Sequence, residues 1–86
     1  MSVDKEKARG YLVKLFSKVL TEDEIANKRS RSYAILANYT SPKSGIKVNS
    51  LFDEQEIGDI LSDILVAHTN ARINAWAKKI DSEGEF

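Results

Sequence analysis

The fold of this chain is decided by residues 57–68, which read IGDILSDILVAH. Apolar residues recur there at intervals of three and four, a spacing that places them on one face of an α-helix. No proline occurs between residues 51 and 81, so the sequence predicts one long C-terminal helix over 51–81. The residues of its first face are Ile57, Ile60, Leu61, Ile64, Leu65 and His68.

A second apolar face follows on the same predicted helix, rotated by roughly 90–130° at 100° per residue. If the helix is continuous, a chain this small has no second partner for that face, and the sequence predicts a homo-oligomer. If the helix breaks near residues 68–70, its last part folds back and Trp76 packs in the core. We favour the continuous helix because no glycine or proline lies at residues 68–70. The predicted interface residues are Val66, Ile73, Trp76 and Ile80.

Two further helices precede the long one. Apolar residues at the same spacing predict a helix over residues 3–20. Thr21 and Glu24 have the spacing of a capping box, which predicts the start of a second helix over residues 22–39. Pro42 and Gly45 predict a linker over residues 40–49, with Gly45 at a turn position of positive φ. The third helix is expected to be capped by Asn49 or Ser50.

These patterns predict an all-α protein: a small three-helix bundle in a single domain, residues 1–86, that assembles into a homo-oligomer. Its 86 residues are enough for one modest hydrophobic core.

The composition excludes several kinds of chemistry. The chain has no cysteine and one histidine, so thiol catalysis, disulfides and multi-histidine metal sites are all excluded. His68 lies in line with the first apolar face, which favours a core or interface position over a catalytic triad. We therefore expect a protein that is not an enzyme and that has no cofactor and no metal.

Charge is balanced over the whole chain but segregated along it. The 13 basic and 13 acidic residues cancel, which argues against binding to nucleic acid or to an anionic membrane. Residues 25–52 contain no acidic residue, and residues 53–63 contain no basic one. The basic segment is either a solvated helix face or a site for a small anion. Its candidate anion-binding residues are Lys28, Arg29, Arg31, Tyr39, Lys43 and Lys47.

The acidic segment has three interpretations. Carboxylates at the start of a helix are stabilised by the helix dipole, so a solvated face is the simplest. Asp59 and Asp63 together could ligate a divalent cation, although no EF-hand spacing supports this. The acidic segment of one chain could also pair with the basic segment of another.

Targeting signals are absent from the sequence given. The N-terminal residues are charged and no apolar signal region follows them. The longest apolar run, residues 64–67, is much shorter than a membrane span requires. We expect a cytoplasmic protein of a bacterium or of an infected host cell.

Two classes of small helical protein share features with this chain. Thr21, Glu22 and Ile25, followed by the pairs Ala67/Thr69 and Trp76/Ala77, resemble small phage proteins that sequester cyclic nucleotides. The spacing between Thr69 and Trp76 departs from that pattern, so no family is assigned. Bacteriocin immunity proteins are similar in size and helicity only.

The sequence thus supports two hypotheses. The first is a non-enzymatic interaction protein, acting as an inhibitor, adaptor or immunity-type factor that binds another protein, itself or both. The alternative is an oligomeric module that binds or sequesters a phosphorylated small molecule, such as a nucleotide or cyclic nucleotide, through its basic segment.

Overall fold

The computed structural model describes residues 4–69 and Phe86. This part of the chain is all-α, as predicted. It contains an isolated antiparallel β-bridge between Thr40 and Lys47 but no strand. The helices of residues 4–69 are α1 (Lys5–Val19), α2 (Glu22–Asn27), α3 (Arg29–Ala37), α4 (Val48–Leu51) and α5 (Glu54–Thr69).

The first helix lies close to its predicted position. The side chain of Asp4 caps α1 by accepting hydrogen bonds from the backbone N–H groups of Glu6 and Lys7. The helix ends when Leu20 takes an extended conformation. Its buried face consists of Ala8, Leu12, Val13 and Phe16.

The predicted helix over residues 22–39 is instead two helices, α2 and α3. The capping box at Thr21 and Glu24 is present, as predicted. The chain then leaves helical geometry at Lys28, where φ is −127° and ψ is 51°. The side chain of Ser32, which is buried, donates a hydrogen bond to the Glu24 carbonyl at 3.0 Å. The Glu24 carbonyl also accepts the backbone N–H of Lys28 at 2.9 Å, so the Ser32 hydroxyl is its second donor at the break between the two helices.

The segment between α3 and α4 is a compact turn. The backbone N–H of Ser41 donates to the Ile46 carbonyl at 2.9 Å, and that of Gly45 donates to the Ser41 carbonyl at 2.8 Å. Gly45 has φ 74°, which confirms the predicted positive φ. The last two residues of the predicted linker over residues 40–49, Val48 and Asn49, belong to a short helix, α4.

The last described helix, α5, begins later than predicted. The expected caps, Asn49 and Ser50, lie inside α4. Asp53 caps α5 instead: its carboxylate accepts from the Glu56 N–H at 2.8 Å, and its own N–H donates to the Glu56 carboxylate at 3.1 Å. The predicted continuation of this helix to residue 81 lies outside the described residues.

Contacts between α1 and α5 show that the two helices run in the same direction. Lys5 pairs with Glu56 near the start of both helices, and the carbonyl of Leu20, at the end of α1, bonds with His68, 12 positions after Glu56 on α5. Helix α5 also contacts α2, α3 and α4, so it lies at the centre of the described structure. The core combines residues of all five helices with Leu20, Phe52 and Phe86: Ala8, Leu12, Val13, Phe16, Leu20, Ile25, Leu36, Ala37, Val48, Phe52, Ile57, Ile60, Leu61, Ile64, Ala67 and Phe86.

Candidate functional site

Helix α5 has two faces with different environments. Its inward face is buried in the core and consists of Ile57, Ile60, Leu61, Ile64 and Ala67. Val66 is apolar too, but 48% of it is exposed. At about 100° per residue, Val66 lies on the side of the helix opposite Ile64. The core therefore uses the first predicted face and leaves this valine outside.

The neighbours of Val66 define the outward face of α5. Gln55, Asp59 and Ser62 are exposed and, by the helical period, lie on the same side as Val66. The hydroxyl of Ser62 bonds back to the Gly58 carbonyl at 3.2 Å and so stays close to the helix. The other predicted interface residues, Ile73, Trp76 and Ile80, lie outside the described part of the chain.

Two carboxylates of the acidic segment pair within the chain. Lys5 Nζ lies 3.0 Å from the Glu56 carboxylate, and it also lies 5.4 Å from the centre of the Phe52 ring. Arg9 donates from Nε at 2.9 Å and from a terminal nitrogen at 2.6 Å to the same Asp63 oxygen. These two carboxylates therefore pair with cations of α1 rather than with the basic segment.

Glu56 is held in its charged form by its surroundings. Its pKa is lowered from the ordinary 4.5, chiefly by the hydrogen bond from the backbone of Asp53 and next by the hydrogen bond from Lys5.

The cation site considered for Asp59 and Asp63 has one of its two carboxylates already paired, because Asp63 binds Arg9. Within residues 4–69 and Phe86, no three His, Asp or Glu side chains form a group that could hold a metal ion.

The first part of the basic segment surrounds the junction of α2 and α3. Lys28 joins the two helices, and Arg29 and Arg31 lie in the first turn of α3. This helix has neither a side-chain cap nor an acidic residue in its first turn. The pKa of Glu24 is lowered chiefly by hydrogen bonds from the backbone and side chain of Thr21, and the charges of Arg31 and Lys28 contribute less.

Arg29 bridges from this junction to α5. One of its terminal nitrogens lies 3.4 Å from the carbonyl oxygen of Gly58. The side chain remains exposed, so this contact fixes its position without removing its charge from water. Arg29 is thus the member of the basic segment that reaches the edge of the outward face of α5.

The rest of the candidate anion-binding set follows α3. Tyr39 is half-buried, and its ring packs edge-on against Phe16 with ring centres 5.4 Å apart. Lys47 forms the β-bridge with Thr40, and the N–H of Lys43 donates to the Ser41 hydroxyl at 3.3 Å. The six predicted residues therefore form two groups, at opposite ends of a helix about 13 Å long.

His68 makes a contact that the sequence did not reveal. Its Nε2 lies 2.6 Å from the carbonyl oxygen of Leu20, the C-cap residue of α1. Because a carbonyl only accepts, this nitrogen carries the hydrogen. His68 thus satisfies an orphan carbonyl at the end of α1 and fixes that end against α5. The sequence around His68 gives no signal for such a distant backbone partner.

Comparisons with known proteins give no relationship from which a function follows. No protein-family model matches the chain, and no curated protein or solved structure shows significant similarity to it. No helix among the described residues is long and apolar enough to cross a membrane.

Proposed function

We propose that this chain is a small, non-enzymatic helical interaction protein that acts by protein–protein binding as an inhibitor, adaptor or immunity-type factor. In this proposal, α2 and α3 together take the place of the middle helix of a three-helix bundle. The bundle presents the outward face of α5 to its partner, and it self-associates in the cytoplasm.

The observation that carries the proposal is the exposure of Val66, an apolar residue, on the outward face of α5. The inward face of α5 already supplies the core, so Val66 adds nothing to it. An exposed apolar side chain surrounded by small and polar residues gives a partner an apolar contact. Val66 is one of the four predicted interface residues, and Trp76 is the aromatic anchor expected among them.

Photo-crosslinking tests this proposal in cells that produce the protein. A benzoylphenylalanine at position 66 is expected to form an adduct with a different protein, the partner. The matched control places the same group at Ser30, an exposed residue at the start of α3. Adducts with a different protein that form from position 66 and not from position 30 support the proposal. The absence of any adduct from position 66 at native expression levels contradicts it.

The second candidate function is an oligomeric module that binds a nucleotide, a cyclic nucleotide or another phosphorylated small molecule. It is favoured by the start of α3, where Lys28, Arg29 and Arg31 lie beside a helix end that has no side-chain cap. Backbone N–H groups at such an end, together with basic side chains, are suited to a phosphate.

Thermal-shift measurements with nucleotides and cyclic nucleotides test this second function. Binding is expected to raise the melting temperature, and Arg31→Ala is expected to reduce the effect. Lys43→Ala serves as a control that removes one positive charge from the far end of α3. No stabilisation at millimolar ligand, or an equal loss in both variants, would argue against a phosphate site at the α2–α3 junction.

A further inference from the structure

The outward face of α5 has a positive border on one side and a negative border on the other. The positive border is the Arg29 guanidinium, which lies against the Gly58 carbonyl. The negative border is Asp59, the next residue of α5 and about 100° further round the helix. Its carboxylate is exposed. The residues in the sector between the two borders are Gln55, Ser62 and Val66.

Neither border is neutralised by an opposite charge within residues 4–69. The other carboxylates on this side of α5, Glu56 and Asp63, pair with Lys5 and Arg9. The Asp59 carboxylate makes no hydrogen bond or ion pair with any of residues 4–69. Arg29 bonds to a neutral backbone carbonyl and to no carboxylate in the same part of the chain. One positive and one negative charge therefore flank a sector that contains an exposed apolar side chain.

We propose that a second copy of this chain covers the outward face of α5. In this dimer the two α5 helices lie parallel, related by a two-fold axis that runs along them. Arg29 of each copy faces Asp59 of the other, and Val66 lies near the axis against its own equivalent. The inference rests on the proposed function, since it takes the same face as a binding surface and names its occupant.

The positions of the two charges select the parallel arrangement. A two-fold axis along the helices exchanges left and right, so the positive border of one copy meets the negative border of the other. A two-fold axis across the helices would bring like borders together, and like charges in contact oppose association. The Arg29 guanidinium lies beside Gly58, so Gly58 gives its height along α5. Asp59 is the next residue and lies about 1.5 Å further along the helix axis. The parallel pair thus brings the opposite charges to the same height.

Charge reversal tests the predicted contact. Asp59→Lys and Arg29→Glu are each expected to weaken self-association at least about tenfold, because each places like charges together. An equimolar mixture of the two variants is expected to recover dimers, since one native pair and one reversed pair then form. Lys43→Glu, which makes the same change of net charge as Arg29→Glu at the far end of α3, is expected to leave association unchanged. Recovery in the mixture supports the proposal, and equal weakening by Lys43→Glu overturns it.

Disulfide trapping tests the direction of the helices, and it leaves the charges in place because the residues replaced are uncharged. The chain has no cysteine of its own, so a disulfide forms only at the introduced position. Gln55→Cys and Val66→Cys lie on the outward face about 16 Å apart along α5. In a parallel pair both positions face their own equivalents, so each variant is expected to form a covalent dimer under mild oxidation. In an antiparallel pair at most one of them does. Trapping at both positions, and not with the control Ser30→Cys, supports the proposal, whereas trapping at one position or neither overturns it.

These outcomes separate the inference from the proposed function. If the photo-crosslinker at position 66 captures a different protein and neither cysteine variant forms a dimer, the face binds a partner that is not a second copy. In that case the proposed function stands and the parallel dimer is rejected. If the cysteine dimers form but no other protein is captured, the parallel dimer stands and the inhibitor or adaptor function is rejected.

Discussion

The inward and outward faces of α5 belong to the same helix but differ in what fixes their residues. Ile57, Ile60 and Ile64 are almost completely buried among residues of the other helices. Asp59, Ser62 and Val66 are exposed and make no contact that the core requires. The comparison shows that the apolar content of a helix can exceed what its own core uses. Substitutions on the two faces should therefore have separable effects, on stability in one case and on association in the other.

The largest expected effect is that of truncating the inward face. Ile64→Ala removes a side chain with 0% exposure and leaves a cavity in the core. It is expected to lower the free energy of unfolding by about 2–5 kcal/mol. Val66→Ala, the matched change on the outward face, is expected to alter it by less than about 0.5 kcal/mol. Urea denaturation followed by circular dichroism measures both, and similar losses in the two variants would refute the distinction between the faces.

A smaller effect is expected at two aspartates with different roles, Asp53 before α5 and Asp59 within it. Asp53→Ala removes the cap from the Glu56 N–H and is expected to cost about 1 kcal/mol. Asp53→Asn retains an acceptor and should recover most of this loss. Asp59→Ala, on the outward face, is expected to leave the free energy of unfolding nearly unchanged. The same denaturation assay checks these values, and a comparable cost at Asp59 would show that it has a structural role.

The smallest effect concerns the pH dependence of stability. Because the pKa of Glu56 is lower in the folded protein than its ordinary 4.5, ionised Glu56 stabilises the fold at pH values above 4.5. This contribution is lost as the pH falls from about 4.5 through the lowered value. Glu56→Gln is thus expected to be less stable than the wild type at neutral pH and to approach it in acid. Glu54→Gln is the control, and an unchanged pH profile in Glu56→Gln would contradict this account.

The features that could be predicted from the sequence are those determined by neighbouring residues. The helical class follows from apolar spacing, the cap of α2 from Thr21 and Glu24, and the positive φ of Gly45 from its place after Pro42. Each depends on side chains within a few positions of one another. The start of α5 shows the limit of prediction from neighbouring residues. Two pairs there, Ser50/Asp53 and Asp53/Glu56, have the spacing of a capping box, and the local sequence does not choose between them. The second is formed, since burial of Val48 and Phe52 places Ser50 inside α4.

The features that could not be predicted depend on residues distant in the chain. Arg9 and Asp63 are separated by 54 positions, and nothing in either local sequence identifies the other as its partner. The break at Lys28 is accompanied by burial of the Ser32 hydroxyl, which depends on tertiary packing. The candidate site contains both kinds of feature. The periodicity of the sequence was enough to assign Val66 to a second face of the helix. The approach of Arg29 to Gly58 required the structure.

The most direct test of the central claim, that the outward face of α5 is a binding surface for a second copy, is the molar mass in solution. Size-exclusion chromatography with light scattering is run over a range of concentrations for the wild type and for Val66→Asp. The wild type is expected to rise from the monomer mass of 9.6 kDa towards about twice that value, while Val66→Asp stays monomeric and folded. A wild type that remains at 9.6 kDa at millimolar concentration, or a Val66→Asp variant that dimerises equally well, would contradict the claim.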